Sequence, residues 1–206
     1  MKKGVVLGLW VLLSGLLLFG SGTVAEDEDK KAVVINEIAW SGTKASSADE
    51  WIELFNNSNQ DIDLSGWKLC WEGITIHFSE VMDNTKEIRN TIIPAGGFYL
   101  LERTDDNTIS DIEADLIYTG SLANEGELLI LKDNEGNIID TANGDGGEWP
   151  AGTASEGEPP YASMERVDPN IPESWRTNDG ETIGGLDAKG NPINGTPKMP
   201  NSAKPE

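Results

Sequence analysis

Val33–Trp40 (VVINEIAW), Asp49–Gln60 (DEWIELFNNSNQ) and Asp61–Leu69 (DIDLSGWKL) decide the fold. Each holds a short apolar run rich in Val, Ile, Leu and Trp, closed by a cluster of Ser, Gly, Asn or Asp. That texture is the signature of short β-strands separated by turns. The first strand is expected over Val33–Trp40 and the second over Glu50–Phe55. The second stops at Asn56-Asn57-Ser58-Asn59, whose side chains bond their own backbone and favour turns. Ile62–Leu64 is too short to stand alone, and Ser65-Gly66 bends the chain into a third strand at Trp67–Trp71.

The pattern continues downstream. In Ile74–Phe78, Ile74, Ile76 and Phe78 alternate with Thr75 and His77, so a strand puts the apolar residues on one face and His77 on the other. Residues 80–90 are polar and suit a loop or one helical turn. Ile92-Ile93 precedes Pro94, which cannot donate to a ladder and marks a break before a strand at Phe98–Glu102. Glu127–Lys132 and Asn137–Ala142 flank Asp133-Asn134-Glu135-Gly136 and form the clearest hairpin, with Gly136 where a positive φ is needed. Residues 144–160 are Gly-, Glu- and Pro-rich and read as an exposed loop. Ala162–Val167 is one more short strand. From Thr177 on, Gly, Pro and Asn dominate, and only lying on the domain could order that tail. About eight short strands make an all-β fold, most simply a β-sandwich, although composition alone leaves a barrel open.

The chain has 206 residues, room for one ordinary domain with appendages. It starts with Lys2 and Lys3, an apolar run from Val5 to Phe19, and small residues through Ala25. This reads as a secretory signal peptide over residues 1–25, cleaved before Glu26, rather than an uncleaved anchor, because the apolar run is short for a spanning helix. Residues 26–31 form an acidic spacer, and residues 32–202 the domain, with a Gly/Pro/Asn-rich extension from about 177. The expected location is outside the cytoplasm: extracellular, cell surface or periplasm. Contact with a membrane is expected only through the leader, were it to stay uncleaved.

The formal charge is −21, more negative still without the two leader lysines. Nucleic-acid binding draws its free energy from cations on the protein, so this balance argues against such a partner. Cys70 is the one cysteine, so an exported chain has no internal disulfide and must be stabilised by burial. A single histidine and a single cysteine cannot build an ordinary zinc site, and His77 has no nucleophile motif around it. No catalytic residue and no resident cofactor are expected. Acidic loops leave Ca²⁺ as a weak option, with Asp105, Asp106 and Asp111 in one cluster and Asp133 and Glu135 in the hairpin turn. Solvated turn chemistry explains the same residues. Trp149, Tyr161 and Trp175 lie in loop-like sequence, where an aromatic covers the end of a core or offers a binding platform.

VVINEIAW, DEWIELFNNS and IDLSGWKL, followed by IPAGGFYLLER, LANEGELLILKDNEGNIIDTA, SMERVDP, PESW and GTPKMPN, together resemble the lamin tail domain in its exported bacterial form. The resemblance runs from about Val33 to Asn201. It implies an immunoglobulin-like β-sandwich that serves as an interaction module rather than an enzyme. The chain departs from the pattern at Lys198, where the family often has Gly. The matching positions, Asn36, Glu37, Trp51, Glu53, Leu54, Asn56, Leu64, Gly66 and Trp67, have a structural reading. Trp51, Leu54 and Trp67 are expected to fill the core and Gly66 to permit the bend, while Asn36, Glu37 and Glu53 bond loop backbone. The resulting expectation is a non-enzymatic envelope module that binds or adheres to an extracellular or periplasmic protein or glycan. The alternatives are a carboxylate-based hydrolase, Ca²⁺-dependent or not, and a Ca²⁺-stabilised structural module.

Overall fold

The computed structural model describes Met1, residues 31–79 and residues 87–205. The expected leader beyond Met1, the acidic spacer up to Lys30 and residues 80–86 lie outside the described residues. Among the described residues there is no helix. Thirteen strands follow in order: β1 Val33–Ala39, β2 Trp51–Asn56, β3 Ile62–Asp63, β4 Trp67–Trp71, β5 Ile74–Phe78, β6 Glu87–Ile88, β7 Ile92–Ile93, β8 Phe98–Arg103, β9 Leu116–Tyr118, β10 Leu129–Lys132, β11 Ile138–Ala142, β12 Met164–Arg166 and β13 Trp175–Thr177.

They form two facing sheets. One has seven strands in the order β13-β12-β1-β2-β8-β9-β6, the other four in the order β11-β10-β4-β5, and β3 pairs with β7 apart from both. This is an all-β sandwich. Its core is filled by alternate residues of the inner faces: Ile35, Ile38, Ile52, Leu54, Tyr99 and Leu101 from the larger sheet meet Leu69, Trp71, Phe78, Leu129 and Leu131 from the smaller. Phe78 and Tyr99 meet edge to face at 5.6 Å, the arrangement the ring quadrupoles prefer. In β5, Ile76 and Phe78 are buried while Thr75 and His77 are exposed, as alternation requires.

Three short strands escape sequence reading. β6 falls in the polar stretch expected to be a loop or one helical turn and pairs antiparallel with β9, Ile88 opposite Leu116. β9 pairs in parallel with β8, Leu101 opposite Leu116, and β13 pairs with β12, Arg166 opposite Trp175. Two or three residues are too few to show a period of two. Trp67 also differs from expectation: it is half-buried and packs against the core from its edge rather than filling it. The Asp133–Gly136 turn is as expected, with Gly136 at φ 89°.

Gly66 has φ +82°, and a Cβ added there would lie 3.1 Å from Asn134 Cβ. An L side chain in the left-handed region crowds its own backbone. Gly66→Ala is therefore expected to lower unfolding free energy by about 1–2 kcal/mol. Denaturant unfolding measures this, and an unchanged midpoint would show that the turn can relax.

Candidate functional site

The site is built around an irregularity in β1. Ile35 faces Leu54 and Glu37 faces Glu53, so Asn36 is the extra residue of a β-bulge. β12 pairs with β1 only at Glu37 and Ile38. The Ile35 peptide groups thus need other partners, and side chains supply them. Asp140 on β11, in the opposite sheet, accepts from Ile35 N at 2.8 Å, and Arg166 on β12 donates from Nε to Ile35 O at 2.7 Å. Arg166 also bonds Asp140 through Nη2 at 2.8 Å, both side chains being fully buried. Lys31 Nζ reaches the other Asp140 oxygen. The Arg166 guanidinium lies 4.2 Å from the centre of the Trp175 ring, a stacked cation that also closes the end of the core.

The bulge sets the outer face of the seven-stranded sheet. Glu165, Glu37 and Glu53 stand directly opposite one another on β12, β1 and β2, all at 0% exposure. Like charges in such positions repel. What covers them is the C-terminal tail, which runs over this face as a strap. Glu37 accepts from Thr196 N at 2.8 Å, Thr196 Oγ1 at 2.8 Å and Ser163 Oγ at 2.5 Å. Glu53 accepts from Lys198 N at 2.5 Å and Asn36 Nδ2 at 3.0 Å. Glu165 accepts from Asn178 Nδ2, Thr196 Oγ1, Ser202 Oγ and Ala203 N. Asn201 closes the strap, donating to Arg166 O and exchanging bonds with Asn36. Burial, then the neighbouring Glu165 charge, pushes Glu37 up to about 8. Burial and the Glu37 charge likewise hold Glu53 well above the usual carboxyl range.

Further along the same face, Ala39, Trp51, Leu100, Ile109 and Ile193 form a second, smaller core. Trp51 therefore belongs to this outer layer and not to the inter-sheet core expected for it, whereas Leu54 does lie between the sheets. The cause is the pleat: Trp51 and Glu53 share one face of β2, Ile52 and Leu54 the other. Glu102, directly opposite Trp51, is buried too. Burial raises its carboxyl to about 8, with the amides of Ile109 and Thr108 pulling back. Lys198 has φ 56°, the left-handed conformation that glycine takes without penalty. This accounts for the glycine usual at this position in the resembling pattern; the lysine here bonds Asp115 through Nζ at 3.0 Å.

The end of the strap walls an open groove of about 380 Å³. Phe55 and Phe98, with ring centres 5.2 Å apart, form one side, and Pro169, Pro200, Asn201 and Lys204 the others. A second cavity of about 350 Å³ lies on the four-stranded sheet beside Cys70, Glu72, Glu127 and Ile130. The first is better suited to a ligand, because paired aromatics and prolines give apolar surface with little polar desolvation.

The structure uses the remaining expected residues locally. Asn56 Nδ2 bonds Gln60 O and Ile93 O, tying β2 to the following turn and to β7. Leu64 is fully buried. Asp105 accepts from Asn107 N, Asp106 from Arg89 and Ala114 N, and Asp111 from Leu186 N. Asp133 accepts from the amides of Glu135 and Asn137, and Glu135 lies exposed beside the Asn137 amide. Among the described residues, no three His, Cys, Asp or Glu side chains converge to hold a metal ion. Trp149 stacks on Trp40 at 6.2 Å, Trp175 lies under Arg166, and half-buried Tyr161 has φ 54°. Trp149 and Trp175 thus cover the core.

Sequence reading missed Glu165, Arg166, Asp140, Thr196 and Asn201. The signal available was faint: SMERV and GTPKMPN place polar residues at alternate or turn positions, but nothing local says which sheet they face.

A family model described as Lamin Tail Domain matches residues 26–144, more than half of the chain. β12, β13 and the strap lie beyond the matched stretch. Comparison with curated proteins gives no match.

Proposed function

The chain belongs to the lamin tail domain family, and from that premise we propose that it works as an exported, non-enzymatic binding module of the cell envelope. The groove between Phe55, Phe98, Pro169 and Pro200 carries this reading. A protein segment suits it better than a glycan. Two aromatic faces and two prolines reward the burial of apolar side chains. Of the polar groups nearby, those of Asn36, Asn201 and Arg166 already bond one another or backbone, so few besides Lys204 remain to match the hydroxyls of a sugar.

The non-enzymatic part rests on the family and on how the carboxylates are used. The buried glutamates accept bonds from the strap, and a substrate reaching them would have to displace it. The outermost acids serve turns.

The test is capture from an envelope extract with the protein and with its Phe55→Ala/Phe98→Ala variant. Loss of a buried aromatic anchor weakens binding by about 2 kcal/mol, roughly thirtyfold. The double variant should therefore lose the captured protein while keeping its melting temperature within a few degrees, since both rings are only half-buried. Equal capture by the two would refute the groove as the binding surface. Capture of polysaccharide in place of protein would refute the choice of ligand.

A further inference from the structure

Thr196 Oγ1 sits among more acceptors than one hydroxyl can serve. It lies 2.8 Å from Glu37 Oε2, 3.1 Å from Glu165 Oε1 and 3.4 Å from Asn201 Oδ1. A threonine hydroxyl has one hydrogen to donate. If it points at one carboxylate, the other close oxygen faces a lone pair, unless that oxygen carries a hydrogen of its own. The surrounding bonds decide which one does. Glu165 receives donors on both oxygens: Asn178 Nδ2 at 2.7 Å and Thr196 on Oε1, Ser202 Oγ at 2.6 Å and Ala203 N at 2.8 Å on Oε2. Glu53 also accepts on both oxygens, from Asn36 and from Lys198 N. Glu37 takes Thr196 N and Ser163 on Oε1 alone. Its Oε2 is free to carry a hydrogen and give it to Thr196, which then donates to Glu165.

We infer that the row Glu165–Glu37–Glu53 holds one proton on its central member, and that this proton keeps the strap on the sheet until rising pH removes it. With Glu37 neutral, no two like charges stand directly opposite one another along the row. Ionised Glu37 would face one on each side in a buried layer, where such repulsion is poorly screened. Few other charges face the row. On the strap, Lys198 directs its Nζ to Asp115, and its charge also pulls the Glu53 carboxyl down against burial. On β13, Arg176 lies opposite Glu165, with an exposed side chain. Arg166 and Asp140 neutralise each other on the sheet's inner side. Glu102 lies further along the outer face, two strands from Glu37.

Lifting the strap hydrates the row and returns Glu37 toward its ordinary value of 4.5, from about 8 when closed. The closed state therefore binds the extra proton across that window. Its advantage is complete below the lower value and falls as pH rises, by about tenfold in the closed-to-open ratio per pH unit. Pro200, Asn201 and Lys204 wall the groove, so lifting the strap dismantles it. This last consequence rests on reading the groove as the binding site; the proton does not.

Glu37→Gln imitates the protonated state. The amide oxygen keeps the bonds from Thr196 N and Ser163, and the NH₂ donates to Thr196 Oγ1. In the full chain, protection of the Thr196, Lys198 and Ala203 amides, corrected for base-catalysed exchange, should fall roughly fiftyfold from pH 6 to 8, and stay flat in the variant. These local readouts are needed because burial also raises Glu50, to about 7, Glu102, to about 8, and Glu53, well above the usual carboxyl range. Protection that is flat in the unmodified protein, or that falls equally in both, overturns the inference. Should the variant not fold, carboxyl-carbon NMR of the unmodified protein decides: a Glu37 midpoint above 7 supports the proton, and one near 4.5 overturns it. The Phe55→Ala/Phe98→Ala variant should keep the same pH slope, so a failed groove reading and a failed latch give different results.

Discussion

Asp140→Ala is expected to destabilise the fold by about 3–5 kcal/mol, the range for breaking a buried ion pair from one side. The carboxylate holds together parts far apart in sequence: Ile35 N, the Arg166 guanidinium and Lys31 Nζ. Without it Arg166 stays in the interior with its charge uncompensated, keeping bonds to Ile35 O and Thr141 O. Burial already lowers the Arg166 pKa, and Asp140 is the first of the groups that oppose this. The Ile35 amide is left without its acceptor at the bulge, adding about 1–3 kcal/mol if no water reaches it. Asp140→Leu with Arg166→Met should recover much of the loss, because both charges vanish together, but not the part due to the amide. Urea unfolding monitored by circular dichroism measures all three proteins. A loss below about 1 kcal/mol for the single variant would mean that the pair contributes little net stability, as solvated pairs do.

Trp51→Ala should cost a similar amount, about 3–5 kcal/mol, but break a different part of the molecule. The ring packs on Ala39, Leu100, Ile109 and Ile193 beneath the strap. A Cβ added to Gly195 would meet it at 2.7 Å, so the strap backbone is seated directly on the indole. Truncation leaves a cavity under the strap and none between the sheets. The expected result is early proteolytic cutting within residues 182–203, while the Phe78–Tyr99 and Trp71–Tyr118 contacts of the inter-sheet core keep their near-ultraviolet signature. Loss of that signature together with the strap would instead place Trp51 in the main core, as its sequence alone suggested.

That contrast marks how far the sequence reaches. Strands with four or more residues and clean alternation were legible, and so was the Gly136 hairpin, because side-chain period and turn chemistry are local properties. β6, β9 and β13 were not, since two or three residues carry no period and their pairing is decided by neighbours elsewhere in the chain. The expectation that Asn36, Glu37 and Glu53 bond loop backbone holds for two of the three carriers in detail. Glu37 takes the Thr196 amide and Glu53 the Lys198 amide, while Asn36 bonds side chains, those of Glu53 and Asn201. Their partners on the strap lie about as far away in the chain as the domain allows, and no local rule names them. The acids of the exposed turns, Asp105 and Asp133, were legible as turn residues, and hydrogen bonds from Asn137 hold Asp133 below the usual carboxylate range.

The sequence by itself determined that this chain is an acidic all-β domain with a tail that could be ordered only by lying on it, because composition, period and turn residues act within a few positions of one another. Only the tertiary structure decided what the tail does. One bulged residue in β1 aligns three glutamates on neighbouring strands. Their burial makes hydrogen bonds from the strap, and a proton, the cheapest way to keep charge out of the interior.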